Sequence, residues 1–299
     1  MTNTRIAAVV VTYNRKALVE KCMESILGQQ GASCDIIIID NGSTDNTEEL
    51  FRTKYSKKGI FYENRGRNYG CADSTGYGIK KAVLAGYDYI WVMDDDVFPF
   101  PDALKSLLEA DEKLNGEWGC LSGVAYWTDG SICKANRQKK SLFSFVKDRE
   151  YAEKEYIPVI MVSLASMFLK ATVVRDVGLP IAEYYIYTED YEFCSRISKR
   201  YPIYVVTNSK VTHAMRENRK VDFVKEPEDR LYRYRYLYRN DVHCYRKMGW
   251  KGKVYLVVKY IYTMIRLLCL ERDSKKEKID IVKKGYMEGR QFNPTIRYV

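Results

Sequence analysis

Residues 89–97 read YIWVMDDDV, an apolar stretch rich in β-branched and aromatic side chains that runs directly into three aspartates. The apolar part is typical of a strand buried on both faces of a parallel sheet. Three adjacent carboxylates at the end of such a strand repel one another and raise each other's pKa unless a cation neutralises them. The sequence therefore predicts a site for a hard divalent cation, Mg²⁺ or Mn²⁺, at residues 94–96. The alternative interpretation is a solvated acidic turn in which Asp96 caps the following helix.

Three more apolar stretches precede this one, and helical segments separate them. Strands are predicted at 6–11, 35–40 and 60–63, and helices at 15–27, 43–50, 72–85 and 101–114. Asn14 is the predicted N-cap of the first helix and Ser43 or Thr44 that of the second, while Pro101 fits the first turn of the fourth. Strands that alternate with helices at this spacing predict an α/β fold with a parallel, doubly wound sheet.

Polar residues follow each of the four predicted strands. They occupy positions 12–15, 40–43, 64–68 and 94–96. Ligands of doubly wound sheets bind at the carboxyl ends of the strands, so these four groups are expected to meet at one edge. A purely structural protein has no need of that arrangement. Asp40 retains two interpretations, as a hydrogen-bond acceptor for a nucleobase or ribose or as the cap of its own turn.

The pattern weakens beyond residue 115. Strands are predicted at 120–127, 166–170 and 203–206, a polar and mobile loop at 134–155, and a helix at 188–200 with Thr188 as its N-cap. Glu189 and Asp190 open that helix, where its dipole favours carboxylates. Their functional interpretation is a general base that takes a proton from an acceptor hydroxyl. His213 follows the last strand, and a single histidine in such a position is usually structural rather than a metal ligand.

The charge of +10 is unevenly distributed along the 299 residues. Residues 1–195 contain 23 Lys+Arg and 28 Asp+Glu, which gives −5, whereas residues 196–299 contain 26 and 11, which gives +15. A basic C-terminal part indicates a polyanionic partner, either anionic lipid or nucleic acid. The eight cysteines form no CxxC pair and favour buried thiols in a reducing compartment. No signal peptide is recognisable, and the apolar stretch 254–270 is shorter than a membrane-spanning helix requires.

Three motifs together resemble a known family. Residues 11–15 (VTYNR), 40–45 (DNGSTD) and 94–96 (DDD) resemble the family-2 glycosyltransferases with the GT-A fold, a Rossmann-like, mostly parallel sheet flanked by helices. The aspartate run with its flanking residues, together with TEDYEF at 188–193 and the later His213, resembles the bacterial galactofuranosyltransferase and rhamnosyltransferase branch. The resemblance covers roughly residues 5–215. It implies an inverting transferase that moves a sugar from a nucleotide-sugar donor to a glycan or lipid-linked glycan during synthesis of cell-surface polysaccharide.

The resemblance also implies roles for individual residues. Asp94, Asp96 and His213 resemble the family's ligands for Mn²⁺ or Mg²⁺, and Asp190 resembles its catalytic base, with Glu189 beside it as a less favoured base or an acceptor-binding group. The residues that resemble donor contacts are Thr12, Tyr13, Arg15, Asp40, Asn64, Arg67, Asn68 and Asp95. The best match to the donor is UDP-galactofuranose. Residues 64–70 are bulkier than the branch's usual glycine-rich segment, so rhamnose transfer from dTDP-rhamnose remains an alternative.

Two other functional classes compete with sugar transfer. A nucleotidyltransferase would share the nucleotide-binding strand ends, but it would carry an early glycine-rich phosphate loop that residues 9–15 lack. A non-catalytic nucleotide-binding scaffold would keep the fold and lose the base, whereas this chain retains Asp190 and His213.

The C-terminal region is treated as a separate unit. Residues 1–225 are predicted to form the GT-A domain, and residues 226–299 a basic, tyrosine-rich helical appendage. Alternating Tyr and Arg at 232–239, followed by the apolar stretch at 254–262, suit an amphipathic helix on an anionic membrane surface. The alternatives are a helical core with a solvated basic face and a contact in a homo-oligomer. No nucleic-acid motif is present. These features predict a cytoplasmic protein that binds peripherally to the inner face of the cell membrane.

Overall fold

The first four strands form one parallel sheet, as their apolar composition predicts. The computed structural model describes residues 4–56, 60–271 and 274–299. Residues 1–3 begin the segment in which no signal peptide is recognisable, and they lie outside the described residues. The four strands are β1 (Ile6–Thr12), β2 (Asp35–Asp40), β3 (Phe61–Asn64) and β4 (Tyr89–Asp94), and they lie side by side in the order β3-β2-β1-β4. All three pairings are parallel, so the four strand ends meet at one edge as expected.

The second half of the sheet is mixed rather than parallel. Five more strands continue it, in chain order β5 (Val97–Pro99), β6 (Cys120–Tyr126), β7 (Tyr156–Val159), β8 (Met167–Lys170) and β9 (Ile203–His213). Strand β8 runs antiparallel between β4 and β6, and β9 carries β5 and β7 on its other edge. Strand β9 is much longer than the predicted 203–206, because after a register shift its second half pairs again with β6.

The helices of the N-terminal part are α1 (Lys16–Leu27), α2 (Thr47–Leu50), α3 (Cys71–Leu84) and α4 (Ala103–Lys113). The predicted caps of the first two are wrong. Asn14 has a φ of 52° and its side chain accepts a hydrogen bond from Thr44 N, while Asp45 accepts from Lys16 N at the start of α1. Helix α4 begins two residues after Pro101, so that proline precedes the first turn.

Two layers of apolar side chains cover the two faces of the sheet. Helix α3 lies unusually close to one face because it carries Gly78, where a Cβ would lie 2.4 Å from Val9 Cγ1 and 3.0 Å from Ile39 Cγ1. Helix α1 covers the other face through Val19, Cys22 and Met23, which are fully buried. All eight cysteines are unpaired.

The segment after β6 is more ordered in secondary structure than the predicted loop. It contains α5 (Asp148–Glu153) and two isolated bridges from Lys139 to Phe145 and Met161. The short α6 (Ala171–Val177) follows β8, and α7 (Glu189–Ile197) then leads towards β9. Thr188 precedes α7 but does not cap it with its side chain, because its φ is 68° and its hydroxyl donates to Asp241 Oδ1 at 3.0 Å.

The C-terminal region is helical, as the sequence predicts, and its described residues form α8 (Tyr232–Arg246), α9 (Gly249–Leu270) and α10 (Lys275–Gln291). They share an apolar cluster with Phe223 and Val224, which places these residues of the predicted GT-A domain in the core of the helical region. The predicted boundary at residue 225 remains a prediction. Across the described ranges, no helix combines the length and apolar content needed to cross a bilayer.

Candidate active site

A polar cleft of about 520 Å³ opens at the carboxyl ends of β1 and β4 and extends to the start of α7. Ten of the residues singled out from the sequence line it: Thr12, Tyr13, Arg15, Asn68, Asp94, Asp95, Asp96, Glu189, Asp190 and His213. They come from strand ends and helix starts that are up to about 200 positions apart in the sequence. The folding of the sheet therefore brings most of the predicted site together.

Asp94, Asp96 and His213 form a compact group of potential metal ligands. One ligand atom from each lies within 4.8 Å of the other two, and His213 Nε2 is 3.0 Å from Asp96 Oδ1. The sheet register explains this arrangement, because β5 follows Asp96 directly and pairs Val97 with His213. His213 Nδ1 is 2.7 Å from Asn136 Oδ1, and donation of the Nδ1 proton to that oxygen would leave Nε2 free to bind a cation.

The middle aspartate faces a different partner. Asp95 accepts a hydrogen bond from Thr12 Oγ1 at 2.7 Å and one from Arg15 Nη1 at 3.1 Å. The same Arg15 Nη1 lies 2.8 Å from Asp96 Oδ2. Thr12 and Arg15 therefore hold the aspartate run against the end of β1, on the side where the resemblance implies the donor.

The aspartate run carries more negative charge than its neighbours neutralise. Burial and then repulsion by Asp96 raise the pKa of Asp94 to about 6, and burial raises that of Asp95 to about 6 despite the nearby Arg15. Burial would also raise the pKa of Asp96, but hydrogen bonding to His213 and the charges of His213 and Arg15 lower it. Burial and mutual repulsion thus disfavour the ionised form of two of the three carboxylates, and a nearby cation would favour it.

Glu189 and Asp190 line the same cleft as the aspartate run. Burial, then the charge of Asp190, raises the pKa of Glu189 to about 8, and Glu189 Oε2 has no hydrogen-bond partner among the described residues. Burial raises the pKa of Asp190 to about 6, with Tyr191 N and Lys139 acting in the opposite direction. Burial therefore disfavours the ionised form of both neighbours, and the charge of Asp190 adds to that effect on the pKa of Glu189.

Three of the residues that resemble donor contacts do not line the cleft. Asp40 is fully buried and caps its own turn, accepting hydrogen bonds from Ser43 N at 2.8 Å and Tyr62 Oη at 2.6 Å. Asn64 donates to Glu48 Oε2, and the guanidinium of Arg67 stacks over the Tyr69 ring on the surface. The structure thus shows a turn cap at Asp40, and the donor contacts of Asp40, Asn64 and Arg67 remain predictions.

Comparison with known proteins identifies the family. The sequence model described as Glycosyl transferase family 2 matches residues 7–171, more than half of the chain. The chain belongs to glycosyltransferase family 2. An uncharacterised glycosyltransferase of Rickettsia typhi is 23% identical over 234 residues, which are 75% of this chain and 69% of that protein. Poly-beta-1,6-N-acetyl-D-glucosamine synthase of Staphylococcus aureus is 30% identical over 148 residues, 49% of this chain and 32% of the synthase.

Solved structures show that this family-2 glycosyltransferase has the GT-A fold. GalNAc-T7, crystallised with UDP, GalNAc and Mn²⁺, has a TM-score of 0.65 at 13% identity; the match covers 97% of this chain and 57% of that one. Residues 1–349 of S. aureus TarS in complex with UDP-GlcNAc have a TM-score of 0.59 at 12% identity, with 94% and 80% covered. At these sequence identities, the similarity to the two solved structures shows the fold alone.

The C-terminal helices of this family-2 glycosyltransferase contribute to the cleft, which the sequence did not predict. Tyr232 and Arg233, from the first turn of α8, line it together with Tyr185 and Tyr187. The Arg233 guanidinium donates to the Tyr232 hydroxyl at 3.2 Å, and within the described ranges no carboxylate forms an ion pair with it. Alternating Tyr and Arg at 232–239 was the only signal in the sequence.

Helix α8 also holds the loop that precedes Glu189 and Asp190. Tyr185, Tyr187 and Thr188 have positive φ values of 64°, 68° and 68°, which non-glycine residues rarely adopt. The fully buried Asn240 donates from Nδ2 to the carbonyl oxygens of Tyr184, Ile186 and Tyr187 at 2.9, 3.1 and 2.9 Å. Asn240 therefore stabilises a strained loop directly before the two carboxylates.

Proposed function

We propose that this chain is an inverting, metal-dependent glycosyltransferase that moves galactofuranose from UDP-galactofuranose to a hydroxyl of a glycan or lipid-linked glycan. The observation that supports it best is one cleft that holds both a group of metal-ligand side chains and a partly exposed carboxylate with a raised pKa. The fold neighbours GalNAc-T7 and TarS were crystallised with UDP or UDP-GlcNAc, which favours a UDP-linked donor. This chain covers only 57% of GalNAc-T7, so the comparison with that neighbour is partial.

The residues of the cleft fit a divalent cation. Asp94 and Asp96 offer hard carboxylate oxygens and His213 an imidazole nitrogen, a donor set that suits Mn²⁺ and Mg²⁺. The raised pKa of Asp94 indicates that the group needs further positive charge. When bound, such a cation stabilises the negative charge that develops on the departing diphosphate.

The chain's own residues then orient the donor and prepare the acceptor. Thr12 and Arg15 fix Asp95 at the end of β1, where it can accept hydrogen bonds from donor hydroxyls. Asp190 accepts the proton of the attacking hydroxyl as that oxygen bonds to the anomeric carbon and the bond to the diphosphate breaks. Glu189, whose pKa is raised by burial and by the charge of Asp190, lies next to the base as a group that can hydrogen-bond the acceptor. One base and direct displacement give inversion at the anomeric carbon.

A donor screen tests the proposed reaction. The protein is incubated with Mn²⁺, a glycan acceptor and UDP-galactofuranose, dTDP-rhamnose or UDP-GlcNAc, and acceptor-dependent release of the nucleotide is measured. Release from UDP-galactofuranose supports the proposal, and release from dTDP-rhamnose alone replaces the sugar while retaining the mechanism. Binding of nucleotides without release from any donor would indicate a non-catalytic scaffold.

We further propose that the protein works at the cytoplasmic face of the cell membrane, where lipid-linked acceptors are available. Helix α9 carries a continuous stripe of apolar side chains, each half or more exposed: Trp250, Val254, Val257, Val258, Ile261, Tyr262, Ile265 and Leu268. An exposed apolar stripe on a basic region is typical of helices that lie in a membrane interface. Co-sedimentation with vesicles should therefore decrease strongly in Ile261→Asp, whereas Leu84→Asp, at a more than half-exposed apolar site on α3, should leave it unchanged.

A further inference from the structure

An apolar groove of about 740 Å³ lies between the three C-terminal helices, on a surface distinct from the cleft. Its volume is within the range of ordinary small-molecule sites. Leu256, Val257 and Tyr260 of α9 form one wall, and Tyr286 and Met287 of α10 form the other. Val257 and Met287 are more than half exposed, so the groove is open to its surroundings.

The groove exists because α10 packs closely against α8 rather than against α9. Gly285 and Gly289 allow this close approach: a Cβ on Gly285 would lie 2.7 Å from Tyr238 Cβ, and one on Gly289 2.5 Å from Val242 Cβ. Between α9 and α10 the long side chains Tyr260 and Tyr286 meet with ring centroids 4.5 Å apart and hold the two helices away from each other. The opening between them is therefore part of the packing of the helices.

Cations surround the apolar floor. Arg246, Lys253, Lys283 and Arg290 line the groove, and no aspartate or glutamate of the described residues does so. The Arg246 guanidinium donates to the carbonyl oxygens of Arg290 and Phe292, at 2.6 and 3.1 Å, and is thereby fixed at one end of the groove without losing its charge to a carboxylate. An apolar slot with a purely cationic rim is complementary to a molecule with an acyl chain and an anionic head.

We propose that this groove binds one membrane phospholipid with an anionic phosphodiester headgroup, with the acyl chain between α9 and α10 and the phosphate among the four cations. Val257 belongs to both the groove and the exposed stripe of α9, so a lipid seated here would be continuous with the membrane surface that the stripe contacts. The proposal deepens the membrane contact proposed above and does not depend on the chemistry of sugar transfer.

Monomeric short-chain lipids provide the test, because a flat amphipathic helix does not bind single lipid molecules in a saturable way. Dihexanoyl-phosphatidylglycerol and zwitterionic dihexanoyl-phosphatidylcholine are titrated calorimetrically into the full chain below their micelle concentrations. We expect saturable 1:1 binding of the phosphatidylglycerol and weaker binding of the phosphatidylcholine. Absence of saturable binding, or equal affinities for the two lipids, would overturn the proposal.

Charge variants locate the site. Lys283→Gln combined with Arg290→Gln should weaken phosphatidylglycerol binding about 25-fold, at about fivefold for each neutralised cation. Lys105→Gln combined with Lys199→Gln makes the same charge change on the surface of the GT-A part and should leave affinity unchanged. Equal losses in both double variants would show a diffuse charge effect and contradict a groove site.

Two further measurements separate competing occupants. Geranyl phosphate that binds much more tightly than phosphatidylglycerol would assign the groove to an isoprenoid phosphate carrier and overturn the phospholipid proposal. A stable dimer in sedimentation velocity that fails to bind either lipid would assign the surface to a second copy of the chain. Donor turnover with a soluble acceptor should be unchanged in Lys283→Gln/Arg290→Gln, so a failed lipid site and a failed transferase give different results.

Discussion

Replacing Asn240 with alanine should lower kcat for sugar transfer by about 10- to 100-fold and change the donor KM by less than about threefold. Asn240 lies outside the cleft lining and fully buried in α8, so its effect must pass through the loop at 184–188. That loop ends at Glu189, the first residue of α7. The expected kinetic pattern is that of a residue that positions the base rather than one that binds the donor.

The magnitude follows from the hydrogen bonds. Asn240 Nδ2 shares its two hydrogens among three carbonyl oxygens, of which that of Tyr184 also accepts from Ile186 N at 2.7 Å. Its removal therefore deprives mainly the carbonyls of Ile186 and Tyr187, and a buried polar group left without a partner costs about 1–3 kcal/mol. Tyr185, Tyr187 and Thr188 each add roughly 1–3 kcal/mol of backbone strain that the loop releases when it relaxes. A shift of about 1.4–2.8 kcal/mol towards relaxed loop conformations corresponds to the 10- to 100-fold loss of kcat.

The assay compares Asn240→Ala with Val242→Ala, a buried position two residues further along α8 that packs against Gly289 of α10. Removing two methyl groups from Val242 costs about 2 kcal/mol of stability without touching the loop. Thermal denaturation should show comparable losses in the two variants, whereas only Asn240→Ala should lose kcat. Wild-type kcat in folded Asn240→Ala, or an equal loss in Val242→Ala, would refute the positioning role.

Four more predictions concern the cleft itself. Asp190→Asn should reduce transfer at least about 100-fold, as expected for loss of a general base, with nucleotide displacement showing donor affinity nearly unchanged; full turnover would exclude Asp190 as the base. Because burial raises the pKa of Asp190 to about 6 and only the ionised form accepts a proton, kcat of the wild type should fall about tenfold per pH unit below that value; an acid limb that disappears in Glu189→Gln would reassign the base. EDTA should abolish transfer, and added Mn²⁺ or Mg²⁺ should restore it. In His213→Ala, the cation concentration for half-maximal activity should rise by roughly tenfold or more. Activity that EDTA leaves intact would refute the metal site. Arg233→Leu should raise the donor KM about tenfold, as expected when one charge-assisted hydrogen bond to the donor is lost. Arg235→Leu, which breaks a surface ion pair with Glu288, should leave the donor KM unchanged.

The sequence predicted the first four strands well because each is a short apolar stretch bounded by polar residues. It missed β5 and β7 for a physical reason. Both are only three or four residues long and contain a proline, at Pro99 and Pro158, which normally argues against a strand. Each pairs with β9 at an edge of the sheet, where the missing backbone N–H of a proline is tolerated.

The capping predictions failed for another reason. Asn14 and Thr188 look like N-caps in the sequence, but both adopt positive φ and direct their side chains to Thr44 and Asp241 respectively. These partners are 30 and 53 residues away, and local patterns contain no information about contacts over such distances. The same limitation hid Arg233 and Asn240, whose roles depend on how α8 docks against the loop before α7.

The residues of the site come from two parts of the chain, and this division bears on acceptor specificity. The family match, residues 7–171, includes the ends of β1 and β4 with Thr12, Arg15 and the aspartate run, which line the cleft where we propose that the donor binds. Glu189, Asp190, His213 and Arg233 all lie beyond it. The groups that would receive the acceptor, complete the cation site and contact the membrane therefore come from residues 172–299, where the chain also carries its positive charge.

A change of acceptor specificity would require substitutions mainly in α7 and α8, because the N-terminal strand ends can bind a nucleotide-sugar whatever hydroxyl attacks it. The loop held by Asn240 joins the two functions, since it fixes the proposed base relative to a proposed donor site that is built mainly by the N-terminal strand ends, with Arg233 as the cation added by α8.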